Sequence, residues 1–198
     1  MAALRRHIAA AAALAAVLLA HAAHAQQADP ANGVLLVARA GIEDANFSQT
    51  VILVSQTADG ETVGVILNKP TRRRHEANGE PIYFGGPVMS QVLVALYVSG
   101  AAPGVAPGSS AFHVLHNVYL TMHPAIIDAL VARPAQAHRL YAGFSGWAPG
   151  QLELEIERGD WMMLPAREEL VFRKDTTGMW LELWQKAFGK QAGIALQR

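Results

Sequence analysis

Cysteine is absent from the 198-residue chain, and neither sign of charge is in excess. Without cysteine the chain has no disulfide, no thiolate metal ligand, no cysteine nucleophile and no cysteine for a lipid anchor. Sixteen basic side chains balance sixteen acidic ones, and the formal charge is −2 once residues 1–25 are left out. A protein that coats a polyanion needs a clear excess of positive charge, so we do not expect a nucleic-acid partner.

Long apolar runs are also missing, apart from one near the N-terminus. Residues 8–20 (IAAAAALAAVLLA) follow Arg5 and Arg6, and Ala23-His24-Ala25 forms a small-x-small cleavage site. This order is typical of a secretory signal peptide, and the run is shorter than the ~20 residues that span a bilayer. We therefore expect residues 1–25 to be a cleaved signal peptide and the protein to be periplasmic. The alternatives are an uncleaved N-terminal anchor and a cytoplasmic protein whose start is wrongly assigned.

The remaining length is sufficient for one domain with its own core. We predict a disordered mature N-terminus over residues 26–32, a folded domain over residues 33–189 and a C-terminal tail over residues 190–198. No segment after the signal peptide is apolar and long enough to cross a membrane, so we expect no membrane association after cleavage.

Short β-branched runs separated by turns dominate the domain. Helices are predicted over residues 124–132 and from a capping Thr176 or Thr177 to a point before Gly189. The second and third of the predicted strands are expected to form a hairpin, and the fifth to be broken near Asn117. Residues 82–84 form a short apolar run. The predicted strands cover residues 34–38, 50–56, 62–67, 91–98, 111–120 and 139–144.

Two further segments raise specific expectations. Pro70 is expected to end the third strand because it cannot donate to a sheet, and the polar residues 71–80, with Arg72–Arg74, are expected to form a solvated loop. Residues 152–157 alternate apolar and acidic side chains, and this period of two favours a strand. Gly150 before this segment and Gly159 after it are spaced as they would be around a helix.

Three blocks of sequence resemble the YqgE/AlgH family: GVILNKP at residues 64–70, FGGPV at residues 84–88 and YAGFSGWAPGQLE at residues 141–153. The similarity runs from about Gly33 to Gly189. It implies an α+β fold, in which one domain has a folded, partly barrel-like mixed β-sheet with helices packed on it. It also implies that residues 151–158 form a helix. Most members have no established activity, and some are labelled transcriptional regulators.

The residue types in these blocks suggest a ligand site. Two glycines leave backbone N–H groups approachable, a proline fixes the φ that follows, a tryptophan offers an apolar wall, and an amide and a carboxylate converge nearby. The alternative is that the glycines form a tight turn and that the other residues lock the sheet to a helix. The candidate ligand-binding residues are Asn68, Gly85, Gly86, Pro87, Trp147, Gln151 and Glu153.

Catalytic and metal-binding patterns are weak. His113 and His116 have no carboxylate nearby in sequence, so we expect neither a metal nor another cofactor. No nucleophile–base set stands out, and we predict a non-enzymatic domain that binds an unknown small molecule or protein. The alternatives are a regulatory protein, as the family label suggests, and a hydrolase that uses Asp44, Glu153 or Glu155 as its base.

Overall fold

A computed structural model of the chain describes residues 33–57, 60–100, 110–133 and 137–195, with side chains up to Ala187. The predicted signal peptide, the predicted disordered N-terminus and residues 101–109 lie outside the described residues. Their predicted boundaries therefore stay predictions.

Ten strands and four helices occupy the described residues. The helices are α1 (Pro124–Val131), α2 (Gln151–Glu157), α3 (Glu168–Val171) and α4 (Met179–Ala195). None of them is both long and apolar enough to cross a bilayer. The strands are β1 (Val34–Ala38), β2 (Val51–Gln56), β3 (Thr62–Ile66), β4 (Pro70–Arg74), β5 (Pro81–Phe84), β6 (Val88–Val98), β7 (Phe112–Leu115), β8 (Val118–Thr121), β9 (His138–Trp147) and β10 (Trp161–Pro165).

The strands form one curled sheet with the main order β10-β1-β2-β3-β9-β6-β8-β7. Neighbours along this order pair antiparallel, whereas β5, which also pairs with β4, runs parallel to β9. The sheet therefore forms a mixed, largely antiparallel half-barrel with the helices packed on it. This confirms the predicted single α+β domain with a partly barrel-like sheet, although the domain is mostly β.

Both faces of β1, β2 and β3 are largely buried, which explains why residues 34–38, 51–54 and 63–66 do not alternate apolar with polar side chains. Leu35 and Leu53 belong to the core on the α4 side of the sheet. Leu36 and Ile52 point the other way and share a core with Trp147 and α2. Burying one such aliphatic side chain stabilises the fold by about 1.5–3 kcal/mol, so helices on two faces are needed to cover these strands.

The segment after β3 differs from the prediction. Residues 70–74 are strand β4, which pairs with β5 through an irregular register, and are not part of a loop. Pro70 is tolerated because it is the first residue of an outer strand, where its missing N–H interrupts no central ladder. Arg72, Arg73 and Arg74 are exposed, as predicted for a solvated segment.

Other boundaries also shift. Helix α4 begins after Gly178 and runs to Ala195, past the predicted end before Gly189. The predicted strand over residues 111–120 is a hairpin of β7 and β8 that turns at His116 and Asn117. Residues 151–157 are helical, as the family resemblance implied and against the period of two. Strands β5 and β10 and helix α3 were not predicted, although residues 82–84 of β5 form an apolar run.

Candidate functional site

Gly85 and Gly86 carry the chain across the face of β9, because β5 pairs with one edge of that strand and β6 with the other. A Cβ atom added to Gly85 would lie 2.1 Å from the carbonyl oxygen of Gly143. Gly143 has a φ of 69°, and a Cβ there would lie 2.6 Å from the carbonyl oxygen of Gly86. Backbone packs directly on backbone at this crossing, so the glycines serve close approach.

The polar groups of Gly85 are already used inside the protein. Its N–H donates to the carbonyl of Ala142 at 3.0 Å, and its carbonyl accepts from the Ile66 N–H at 3.0 Å and the Ser145 hydroxyl at 3.2 Å. The N–H of Gly85 is therefore not open to a ligand. Pro87, the next residue after the glycine pair, is exposed.

The carboxylate of Glu155 joins α2 to strands β9 and β10. Its Oε2 atom accepts the indole N–H of Trp147 at 2.9 Å and that of Trp161 at 2.8 Å. Its Oε1 atom accepts the side-chain amide of Gln151 at 3.0 Å. Three neutral donors thus surround one carboxylate, and we call these four residues together the Glu155 cluster.

An aromatic side chain from a distant loop packs on the Glu155 cluster. Phe47 lies 6.1 Å from Trp147 in a stacked arrangement and 5.6 Å from Trp161 in an edge arrangement, measured between ring centroids. The Thr50 hydroxyl donates to the Phe47 carbonyl at 2.7 Å, which fixes this end of the loop. Aromatic pairs of this kind add about 0.5–1.5 kcal/mol beyond the area they bury.

Glu153 lies apart from the Glu155 cluster. It is exposed on α2, two residues before Glu155, and a helix turns by about 200° over two residues. Gln151 and Glu155 share a helix face because they are four residues apart. Trp147 and Gln151 of the predicted site thus lie together, whereas Glu153 does not join them, and its role as a ligand residue stays a prediction.

A second feature is a cleft of about 470 Å³ at the start of α4, which we call the α4 cleft. Of the seven predicted ligand residues, Asn68 lines it. It combines hydroxyl, amide, ammonium and aromatic groups from three separate parts of the chain. The lining residues are Ser48, Gln49, Asn68, Lys69, Pro70, Thr176, Thr177, Gly178, Trp180 and Leu181.

Asn68 holds one wall of the α4 cleft in place. Its Oδ1 atom accepts the N–H of Val51 at 2.8 Å, and its Nδ2 atom donates to the carbonyl of Gln49 at 2.9 Å. Gln49 has a φ of 55°, which a residue other than glycine rarely adopts. The Asn68 amide therefore fixes a strained residue at the edge of the cleft.

Lys69 reaches across to the loop that ends at this wall. Its Nζ atom donates to the carbonyls of Ala45 at 3.1 Å and Asn46 at 2.9 Å. Partial burial lowers the pKa of Lys69, and the nearby charge of Asp44 opposes this effect in part. The ammonium group is thus partly removed from water, and the charge of Asp44 compensates part of this loss of hydration.

The opposite wall is tied to the core by a buried guanidinium. Arg139 donates to the carbonyl of Val171 at 3.0 Å, to that of Leu67 at 3.4 Å and to that of Arg173. Leu67 precedes Asn68, and Arg173 leads towards Thr176. One side chain therefore connects the chain segments on both sides of the α4 cleft.

Another cleft, of about 580 Å³, lies beside α2 and β10. Asp160 bridges two arginines there, with its carboxylate 3.2 Å from Arg39 and 2.6 Å from Arg158. The hydrogen bond and charge of Asp160 raise the pKa of the exposed Arg158. The lining residues are Arg39, Ile156, Arg158, Gly159, Trp161, Met162 and Met163.

Two histidines have polar or aromatic partners within the protein. His113 contacts the carbonyl of His116 through Nε2 and stacks on Tyr119 at 4.8 Å between ring centroids. His138 lies 2.7 Å from the carboxylate of Glu80. Within the part of the chain that the structure describes, no group of three or more His, Asp or Glu side chains is placed to hold a metal ion.

Sequence comparison finds relatives along most of the chain. The profile of the AlgH-like family DUF179 matches residues 35–192. A UPF0301 protein of Thermobifida fusca strain YX is 34% identical over 182 residues, covering 82% of this chain and 90% of the relative. The UPF0301 protein Rv0038 of Mycobacterium tuberculosis strain H37Rv is 34% identical over 174 residues, covering 80% of this chain and 81% of the relative.

Two solved structures share the fold. The crystal structure of protein DIP2367 from Corynebacterium diphtheriae superposes with a TM-score of 0.62 at 27% identity, covering 81% of this chain and 89% of the other. The solution structure of the AlgH protein PA0405 from Pseudomonas aeruginosa superposes with a TM-score of 0.64 at 21% identity, covering 83% and 92%. At that identity the second likeness concerns the fold alone.

Proposed function

The chain belongs to the AlgH-like (YqgE/AlgH, UPF0301) family, and we propose that it is a non-enzymatic binding domain that takes a small ligand in the α4 cleft after export to the periplasm. The observation that carries this proposal is the α4 cleft itself. Its volume, about 470 Å³, is in the range typical of small-molecule sites, and its walls mix apolar surface with a few polar groups.

The chemistry of the cleft supports binding over catalysis. Among the described residues that line it, Lys69 alone carries an ionisable side chain. Acid–base and nucleophilic mechanisms need a base within hydrogen-bond reach of the group it activates. The Ser48 hydroxyl has no carboxylate or imidazole among the other lining residues. Asp175, outside the lining, accepts hydrogen bonds from Thr177, and these lower the pKa of its carboxyl and make it a weak base. The two hydroxyls are therefore better suited to hydrogen bonding than to catalysis.

The Glu155 cluster supports a structural role. Its carboxylate is occupied by two indole N–H groups and one amide, which leaves it little capacity to act as the base of a hydrolase. Export is supported by the sequence over residues 1–25, where a basic start, an apolar run and a small-x-small site occur in the order of a signal peptide.

The test is a screen of small neutral, anionic and cationic compounds against the isotope-labelled protein by two-dimensional NMR. We expect binders to shift the resonances of Asn68, Thr177 and Trp180. Leu181→Trp should abolish these shifts by filling the cleft, whereas Leu154→Trp should leave them intact. The control is matched because both leucines are exposed on helices, at 47% for Leu181 and 61% for Leu154. Binders whose shifts survive Leu181→Trp would contradict the proposed site.

A further inference from the structure

We propose that the ligand of the α4 cleft carries a carboxylate or phosphate group, which Lys69 and Asn68 hold while the rest of the ligand lies against Trp180 and Leu181. This inference rests on the proposed function and names the ligand class for the same site. It follows from the donors that the cleft leaves unused, the sign of its charge and the surface that its tryptophan presents.

The unused hydrogen-bonding capacity at this wall includes two donors. The Lys69 ammonium has three N–H groups, and its two acceptors, at Ala45 and Asn46, leave one of them over. The Asn68 amide has two N–H groups, and Gln49 takes one. Two free N–H donors on adjacent residues match the paired oxygens of a carboxylate or phosphate.

Charge at the cleft favours an anion. Lys69 is the one ionisable lining residue among those described. The carboxylates of Asp44 and Asp175 lie outside the lining, where Asp175 is held by Thr177 and faces the charge of Arg173. Strand β4 begins at the cleft with Pro70 and continues into Arg72–Arg74, which are exposed. Within the described residues these three arginines make no ion pair, so their positive charge adds to the field near the cleft.

Trp180 supplies the apolar part of the site. Its indole N–H donates to the carbonyl of Ala38 at 2.8 Å, so the ring offers a ligand apolar surface and no free N–H donor. Leu181 lies beside it and is 47% exposed. A ligand with a flat or aliphatic body next to its anionic group would cover this surface and gain from its burial.

Partial burial gives the inference a pH signature. Desolvation lowers the pKa of Lys69 because the charged form is disfavoured away from water. A bound anion favours the charged form and raises that pKa again. By linkage, affinity should be full below the pKa of Lys69 in the free protein and should fall as pH rises through it.

The experiment titrates the full chain with phenyl phosphate, benzoate and neutral benzyl alcohol, which share a ring and differ in the charged group. Binding is followed by NMR at the Asn68 side-chain amide and the Trp180 indole. We expect at least one anion to bind about tenfold more tightly than benzyl alcohol, which corresponds to about 1.4 kcal/mol. The comparison of phenyl phosphate with benzoate identifies which anionic group the site prefers.

Variants separate charge from folding. Lys69→Gln should weaken anion binding about tenfold or more, while Lys69→Arg, which keeps the charge, should retain most of it. Lys186→Gln is the matched control, because Lys186 is an exposed lysine of α4 that does not line the cleft. If Lys69→Gln loses anion binding and Lys69→Arg restores it, the inference is supported. If both variants lose anion binding equally, the substitutions act by disturbing the loop that Lys69 holds, and the inference is overturned.

Failure of the inference and failure of the proposed function look different. If benzyl alcohol binds in the cleft as tightly as the anions, or if Lys69→Gln leaves anion binding unchanged, the ligand class is wrong and the binding site stands. If no anionic probe shifts the cleft resonances, the inference is overturned. If in addition no compound of the screen binds there, the proposed function fails with it.

Discussion

The indole N–H of Trp147 lies 2.9 Å from the carboxylate of Glu155, which joins the end of β9 to α2. The same carboxylate oxygen accepts the indole of Trp161 at the start of β10. Helix α2 is short and buries one leucine, so little apolar surface holds it on the sheet. The hydrogen bonds to the Glu155 carboxylate therefore fix its position. The carboxylate is therefore a structural centre for three elements.

Glu155→Gln is expected to destabilise the fold by about 1–3 kcal/mol, because a neutral amide replaces the charged acceptor of three hydrogen bonds. Glu153→Gln, on the exposed side of the same helix, is expected to change stability by less than about 0.5 kcal/mol. Denaturant unfolding of both variants checks this difference. Equal effects of the two substitutions would show that the Glu155 cluster does not hold α2.

Gly85→Ala is expected to destabilise the fold by about 3 kcal/mol or more, because its new Cβ would lie 2.1 Å from a backbone oxygen of β9 that cannot easily move. The control is Gly146→Ala, since a Cβ there has no neighbour closer than 3.6 Å. Thermal melting compares the two. A Gly85→Ala protein as stable as the Gly146→Ala protein would mean that a Cβ atom fits where the Gly85–Gly86 segment crosses β9.

Burial raises the pKa of Tyr141 to about 12, from an ordinary value near 10, and the nearby Arg139 opposes this only in part. The folded state thus keeps the phenol protonated when the unfolded chain has begun to release its proton. Stability is full below about pH 10 and falls as pH rises from about 10 to about 12. We expect Tyr141→Phe to reduce this alkaline loss, measured by unfolding at several pH values. An unchanged alkaline profile would place the loss elsewhere.

The exposed arginines of β4 are expected not to bind duplex DNA at physiological salt, since the formal charge without residues 1–25 is −2. Replacing Arg72, Arg73 and Arg74 with alanine should leave the melting temperature nearly unchanged because all three are exposed. Gel-shift titration checks the first statement. Micromolar DNA binding that the triple substitution removes would favour the regulatory alternative.

Export predicts a shorter mature protein. Removing residues 1–25 at the small-x-small site should lower the mass by about 2.5 kDa and leave Gln26 as the first residue. Fractionation of a bacterial host, followed by mass spectrometry, measures both. Full-length protein in the cytosol would refute the periplasmic proposal, whereas full-length protein in the membrane fraction would indicate an uncleaved anchor.

Local pattern was sufficient for the elements whose side chains face a core. Residues 34–38 and 51–54 are apolar throughout because both faces of these strand segments are buried, and such runs are readable from sequence. Helix α1 was predictable because Ile126, Ile127 and Leu130 follow helical spacing. In α2 the period of two was misleading, because the three acidic residues do not share one solvated face. Glu153 and Glu157 are exposed, whereas Glu155 bonds two tryptophans.

The sites could not be predicted from local pattern. The α4 cleft brings together Gln49, Lys69 and Thr177, which are far apart in sequence and meet only through the packing of α4 on the sheet. The side-chain amide of Asn68 bonds residues 17 and 19 positions away, which no local pattern indicates. The Gln151–Glu155 spacing of four, with a tryptophan on each side, was the one available signal for the Glu155 cluster.

The position of β9 in the sheet has a consequence for biosynthesis. This strand pairs with β3, β5 and β6, all of which leave the ribosome before it does. Pairings between such distant segments form slowly, because the intervening chain must be closed into loops first. A nascent chain that stalls before His138 therefore keeps three strand edges open, and open edges are the features through which β proteins aggregate.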